Sequence, residues 1–534
     1  MRATDVGARA VLLGLGAALG GLWSAPTLPA RADPPRPEWT MAGQNLSNTR
    51  NQSAESTLDA GSVARLKAKW VFTTGGDVSA TPAVAGGALY VPDWRGNLFK
   101  IDAVSGNAVW TRRLPDYTGR ARTFSRTTPA LANGVLYLGS HYGAYLLAVR
   151  AARGDLLWRT QLDAHRAATL TQSPVVFRRR VYVGVSSREE LLAGLAPGYR
   201  CCTFRGSVVA VDAASGHVVW RTYLTPDNGG RPGGYSGVAV WGNTPVVDAA
   251  RGSLYVTTGN NYELPAAVKE CEQMRRLDPT RPSCLAPDDR FDSVVALDLE
   301  TGAVKWSTRL QGYDAWNVAC ALPRQPRPKC PDPAGPDYDF AQGPMLFTAA
   351  GPHGPRPLLG AGQKSGIFWA LDPSTGAVVW STVVGPAGGS GGMEWGSATD
   401  GTRIYTAVAN SDHVPYPLIS GSTTTGGAWS ALDAGNGAIL WQTATPGRQT
   451  AMGPVTVANG VVYAGSMARS GNNMFALDAA SGAIRWQFES GGSVNSGPAV
   501  VDGTVYWGSG YAHFALLGLH GSPNNRLYAF ELAR

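Results

Sequence analysis

A short phrase recurs seven times along the 534-residue chain and limits the fold more than any other feature. It consists of an apolar pair, usually Asp, a small polar turn, Gly, two or three further residues and then Trp. The clearest copies run from Ala210-Val211-Asp212 through Gly216 to Trp220 and from Ala296-Leu297-Asp298 through Gly302 to Trp306. Two more run from Ala370-Leu371-Asp372 through Gly376 to Trp380 and from Ala476-Leu477-Asp478 through Gly482 to Trp486. Ile101-Asp102 with Gly106 and Trp110, and Leu432-Asp433 with Gly437 and Trp441, are looser copies. In the copy ending at Trp158, Arg150 stands where Asp is expected. Such a phrase encodes a hairpin: alternating apolar residues make a strand, Asp accepts from turn amides, Gly supplies a positive φ, and the return strand ends in Trp. An indole at the same place in every unit can pack between neighbouring sheets.

Counted from Trp70, the tryptophans are spaced by 40, 48, 62, 86, 74, 61 and 45 residues. Repeats of about 40 to 50 residues with four strands each signal a β-propeller. The ends complete the count. Leu527-Tyr528-Ala529-Phe530 matches the first half of the phrase, and Leu66 to Phe72, around Trp70, matches the second. Joining them gives an eighth blade, so the expected fold is all-β: an eight-bladed propeller with tryptophan-docking repeats, closed by its N- and C-terminal strands. A single ring over 33–534 also explains a length that would otherwise suggest several domains. Only 16% of residues are charged, and the chain carries 67 Gly and 36 Pro, which excludes a coiled coil, a helical solenoid and a disordered chain. The net charge of +8 is spread without basic runs, so nucleic acid is not an expected partner.

The excess spacing lies in three insertions, Arg188 to Arg205, Asn261 to Arg290 and Asp314 to Gly343, and all six cysteines sit in them. Long loops on a rigid scaffold often carry function. Residues 1–32 read as a signal peptide, with Arg2 and Arg9, a charge-free apolar run from Ala10 to Pro26, and Ala30-Arg31-Ala32 before the cut. A periplasmic or secreted location follows, with no membrane span after cleavage. In that oxidising setting an even cysteine count points to disulfides. Fifteen pairings are possible; joining nearest neighbours gives three short loops. No C-x-x-C-H motif for covalent haem attachment occurs.

Tandem Ala-Leu-Asp-x-x-x-Gly-x-x-x-Trp repeats in such a ring resemble the pyrroloquinoline quinone-dependent alcohol dehydrogenases, from Trp39 to the C-terminus. The stretches Cys201-Cys202-Thr203-Phe204-Arg205-Gly206-Ser207 and Asp314-Ala315-Trp316-Asn317 look most like the branch acting on polyvinyl alcohol. The resemblance implies a quinone in the central funnel with Ca²⁺ beside its C5 carbonyl. It implies Glu189 as first-choice cation ligand with Glu190 as the alternative, and Asn260 as a second ligand. For the quinone it implies Trp241 as a stacking surface, with Thr171, Ser186, Lys364 and Trp395 as contacts. A vicinal Cys201–Cys202 disulfide would form a lid.

In this family Asp directly follows the Trp of the catalytic loop. Here Asn317 follows Trp316, so Asp314 is favoured as base and Glu394, before Trp395, is its rival. The implied reaction is oxidation of a secondary alcohol, with an external cytochrome c as acceptor. The alternative is a non-catalytic exported propeller serving as assembly scaffold or polymer-binding protein.

Overall fold

The computed structural model describes residues 37–323, 327–513 and 520–533; the expected signal peptide lies outside them. Eight antiparallel sheets form the blades of a propeller, as the repeats require; seven have four strands, and the third gains a short fifth strand, Ala168–Thr169. Blade 4 is typical: Val246–Asp248, Ser253–Thr257, Ser293–Asp298 and Val304–Arg309 pair in chain order. Blade 8 combines Ala499–Val501, Thr504–Gly508 and Arg526–Leu532 with Leu66–Thr73 from the other end of the chain. Leu66 faces Leu532 and Thr73 faces Arg526, with one irregularity between Ala68 and Trp70. Closing the ring in this way leaves no blade with an unpaired terminal edge.

The repeat unites Asp, Gly and Trp because consecutive blades use them together. Asp298 Oδ1 accepts from the amides of Glu300 and Thr301 and so shapes the turn. Gly302 follows at φ 73°. A Cβ placed there would lie 2.5 Å from the ring of Trp220 in the preceding blade. The Trp220 Nε1–H in turn donates to Leu299 O in the same turn. Trp70, Trp110, Trp158, Trp306 and Trp441 repeat this bond to the next blade, and Trp486 donates to Leu66 O across the ring closure. Gly302→Ala therefore adds both a clash with an indole and a strained φ. It is expected to destabilise the fold by about 2–4 kcal/mol, read from chemical denaturation.

Alternation of strand direction sets the two faces. The tight Asp-Gly turns join third and fourth strands, so they all lie on one face. Connections from second to third strands, and from one blade to the next, emerge on the other. All three insertions are of these latter kinds. They lean on one another: Asn261 N–H donates to Asp314 O, and Trp316 N–H donates back to Asn261 O. The pairings Cys201–Cys202, Cys271–Cys284 and Cys320–Cys330 give one disulfide to each insertion.

The axial channel is plugged near the inner strands' far ends by residues 39–52. Trp39 pairs with Val84, while the carbonyls of Thr40, Leu46, Ser47, Thr49 and Arg50 accept from Leu131, Val247, Leu346, Thr399 and Val457. Six blades thus hold one segment, whose Trp39 and Arg50 are fully buried.

Candidate active site

On the insertion face the channel widens into a cavity of about 460 Å³. Its wall includes Thr171, Ser186, Trp241, Lys364, Glu394 and Trp395, all singled out in the sequence, and also Glu190. Trp241 and Trp395, from the approaches to blades 4 and 6, meet edge to face with centroids 5.3 Å apart. The two indoles give the cavity a broad apolar surface.

Lys364 sits in the turn between the second and third strands of blade 5 and is almost fully buried. Its Nζ lies 2.6 Å from Asp339 Oδ1, 3.2 Å from Asp337 Oδ1 and 5.3 Å from the Trp241 ring centroid. Asp339 Oδ2 accepts from Trp241 Nε1 at 2.8 Å, so one carboxylate orients both the lysine and the indole. Burial alone would depress Lys364. The surrounding Asp337, Asp339, Glu190 and Glu394 reverse this and hold the ammonium well above the ordinary lysine value. Burial likewise drives Asp337 well above the carboxylate range, with Lys364 opposing and Asp339 adding to the rise. Burial pushes Glu394 up to about 7 and raises Glu190 despite the nearby lysine.

Several expected residues are placed elsewhere. Glu189 does not face the cavity: its carboxylate accepts from Tyr199 Oη and from the amides of Thr203 and Phe204. Burial opposes ionisation there, but His165 and those two amides prevail and hold the group below the usual glutamate value. Glu189 is thus an anchor for the loop bearing Cys201–Cys202. Neither cysteine lines the cavity, although both belong to the apolar cluster against which Trp241 packs.

Asp314 also lies off the cavity wall. Its oxygens accept from the amides of Asp337 at 3.0 Å and Tyr338 at 2.7 Å. Burial raises its pKa against those two bonds. Asn317 caps the turn Val318–Cys320, accepting from Ala319 N–H and donating to Tyr262 O and Lys329 O. Asn260 is buried; its Nδ2 donates to Asn261 O and Trp316 O, which turns Oδ1 the other way.

Sequence reasoning missed Asp337 and Asp339, which flank Tyr338 near the end of the third insertion. It also missed Arg126 and Arg188 on the cavity wall. The signal available was an Asp-Tyr-Asp triplet shortly before the first strand of blade 5, Met345–Ala349. Among the described residues, no group of three or more His, Cys, Asp or Glu is placed to hold a metal ion by itself. A cation here needs further oxygen donors from a ligand. The donor set suits a flat polyanionic quinone: two indoles and three cationic side chains face the cavity.

Such a cavity, in which a buried lysine joins two aspartates beneath paired indoles on a ring of tryptophan-docked blades, places the molecule among the quinoprotein-type propellers. A family model described as "Outer membrane protein assembly factor BamB" matches residues 67–200, 204–319 and 424–531, and the chain belongs to that propeller-repeat family. It is also a homologue of pyrroloquinoline quinone-dependent alcohol dehydrogenases. A polyvinylalcohol dehydrogenase of Sphingopyxis sp. (strain 113P3) is 30% identical over 76% of this chain and 58% of its own length. Another, from Pseudomonas sp., is 28% identical over 93% of this chain and 77% of its own. The chain thus spans less than two thirds of the Sphingopyxis protein. In fold, a crystal structure of quinohemoprotein alcohol dehydrogenase from Comamonas testosteroni matches with a TM-score of 0.67 at 21% identity. It covers 93% of this chain and 81% of that one.

Proposed function

We propose that the protein is a quinoprotein alcohol dehydrogenase that oxidises secondary alcohols, polyvinyl alcohol among them. The observation that supports this most is the Asp337–Lys364–Asp339–Trp241 constellation inside the cavity. The cofactor is pyrroloquinoline quinone, with Ca²⁺ as its cation; when bound, the pair supplies a polarised carbonyl that accepts hydride from the carbinol carbon.

Everything else is the work of this chain. Trp241 and Trp395 offer the flat surface, while Arg126, Arg188 and Lys364 answer the quinone's carboxylates and carbonyl oxygens. Glu190 replaces Glu189 as the acidic cation ligand, with Asn260 Oδ1 as the neutral one. Asp337, in place of Asp314 or Glu394, takes the substrate hydroxyl proton. It lines the cavity with Oδ1 beside Lys364, whose position can favour the carboxylate form needed for a base. Electrons then pass to an external cytochrome c.

The scaffold reading draws on the family description, yet a scaffold has no use for an interior lysine among carboxylates. Two measurements test the proposal: absorption of the purified protein titrated with pyrroloquinoline quinone with and without Ca²⁺, and dye or cytochrome c reduction on 2-propanol, 2-hexanol and polyvinyl alcohol. Stoichiometric, calcium-dependent uptake with alcohol-dependent reduction is expected. No uptake at micromolar quinone returns the chain to the scaffold class. In the same titration, Glu190→Gln is expected to weaken calcium-dependent uptake on the order of 100-fold. Glu189→Gln should instead lower thermal stability, because it loosens the 201–204 loop.

A further inference from the structure

Between the cavity floor and the plug lies a second, smaller space of about 30 Å³, lined by Ser79, Thr81, Arg126, Ser173, Asn243 and Trp395 among others. Its place on the axis follows from the chain. Trp241 faces the cavity, Asn243 faces this space and Val247 meets the plug; Thr171 borders both spaces, Ser173 borders this one and Trp395 again borders both. The volume suits one small ion or one water.

The chemistry of its wall is one-sided. Asn243 Nδ2, Trp395 Nε1 and Thr171 Oγ1 are buried with no hydrogen-bond partner among the described residues. Three hydroxyl oxygens already accept: Ser79 Oγ from Trp94 Nε1 at 2.8 Å, Thr81 Oγ1 from Arg50 Nη2 at 3.3 Å, and Ser173 Oγ from Thr128 N at 3.0 Å. Each therefore has its proton to give elsewhere. Asn495 Oδ1 is the opposing acceptor. No Asp or Glu borders the space.

Charge points the same way. Arg126 lies on the wall, but its charge is shared with the Glu394 carboxyl of the main cavity. Arg50 stands just beyond the wall, fully buried, bonded to Ala42 O, Val455 O and two threonine hydroxyls, with no carboxylate paired to it among the described residues. Burial alone brings its guanidinium down to about 9. Gly396 keeps the wall thin, since a Cβ there would lie 3.0 Å from Asn243 Nδ2 and 3.3 Å from Arg50 Cδ. Surplus donors beside the buried Arg50 guanidinium describe a site for a small anion rather than a cation.

We propose that this axial space is a halide site, occupied by chloride in solution, which balances the buried Arg50 guanidinium and steadies Trp395 beneath the cavity. The site would not depend on the quinone or on any activity, so its test is independent of the proposed function.

Crystals of the full protein soaked in bromide should show an anomalous bromine peak between Asn243 Nδ2, Thr171 Oγ1 and Trp395 Nε1. At constant ionic strength, Tm should rise by about 2 °C when gluconate is replaced by 100 mM chloride. Asn243→Asp supplies a fixed negative charge, so it should lose both the peak and the chloride response while folding. Should that variant fail to fold, Ser173→Ala, which removes one neutral hydrogen bond, is expected to weaken halide retention about 5-fold. Electron density for water without anomalous signal overturns the proposal, whatever Tm does.

Discussion

Asp337→Asn is expected to lower kcat by about 10²–10⁴ while leaving quinone uptake close to that of the unaltered protein. The carboxylate is on the cavity wall, and its Oδ1 is 3.2 Å from the Nζ of Lys364, which Asp339 holds at 2.6 Å. Burial and the neighbouring carboxylates hold Asp337 well above the carboxylate range even with Lys364 opposing, so the ionised base requires the further positive charge of a bound cation. Asparagine keeps the shape and the hydrogen bond but cannot take a proton. Asp314→Asn separates the candidates: this residue accepts from the amides of Asp337 and Tyr338, so its loss should lower stability and loosen the loop with a smaller fall in kcat. A D337N enzyme that keeps more than half its kcat would exclude Asp337 as the base and return attention to Glu394.

Lys364→Met should have the largest effect on stability. Removing one partner of a buried ion pair costs about 3–5 kcal/mol, because the partner charge is left uncompensated. Two aspartates are exposed to that cost here, at 2.6 and 3.2 Å, and Asp339 would also lose part of its hold on Trp241. The variant should bind quinone poorly and melt several degrees lower. Adding Asp337→Asn and Asp339→Asn should recover much of the stability but none of the activity, since the carboxylates no longer need a counter-charge. Recovery read by denaturant titration distinguishes a broken ion-pair cluster from simple loss of packing. If Lys364→Met matches the unaltered protein in stability, the cluster is not the electrostatic keystone described here.

The repeat was legible because its chemistry is local. Asp298, Gly302 and Trp306 lie within nine positions, and each has a reason to be there that a hairpin supplies. Ring closure was legible for the same reason, as two half-phrases at the two ends. The insertions follow no period. Glu189 and Glu190 are neighbours at the start of the helix Glu189–Leu195, and a step of one residue turns a side chain through about 100°. Nothing in their order shows that the first points to the Thr203 amide and the second to the cavity. Asp314 and Asp337 both lie in the third insertion, where Asp314 has the more suggestive Trp316 nearby.

Short-range pattern by itself determined the blades, their number, the packing of the repeated indoles between neighbouring sheets, and the loops in which chemistry would be found. Only the tertiary structure decided which acid in those loops meets the lysine, because that contact joins blade 5's Lys364 to residues 25 and 27 positions earlier through an irregular loop. Hairpin energetics repeat along the chain and so leave a periodic trace. Burial of an ion-pair cluster is a property of where several non-periodic loops converge, and it leaves none.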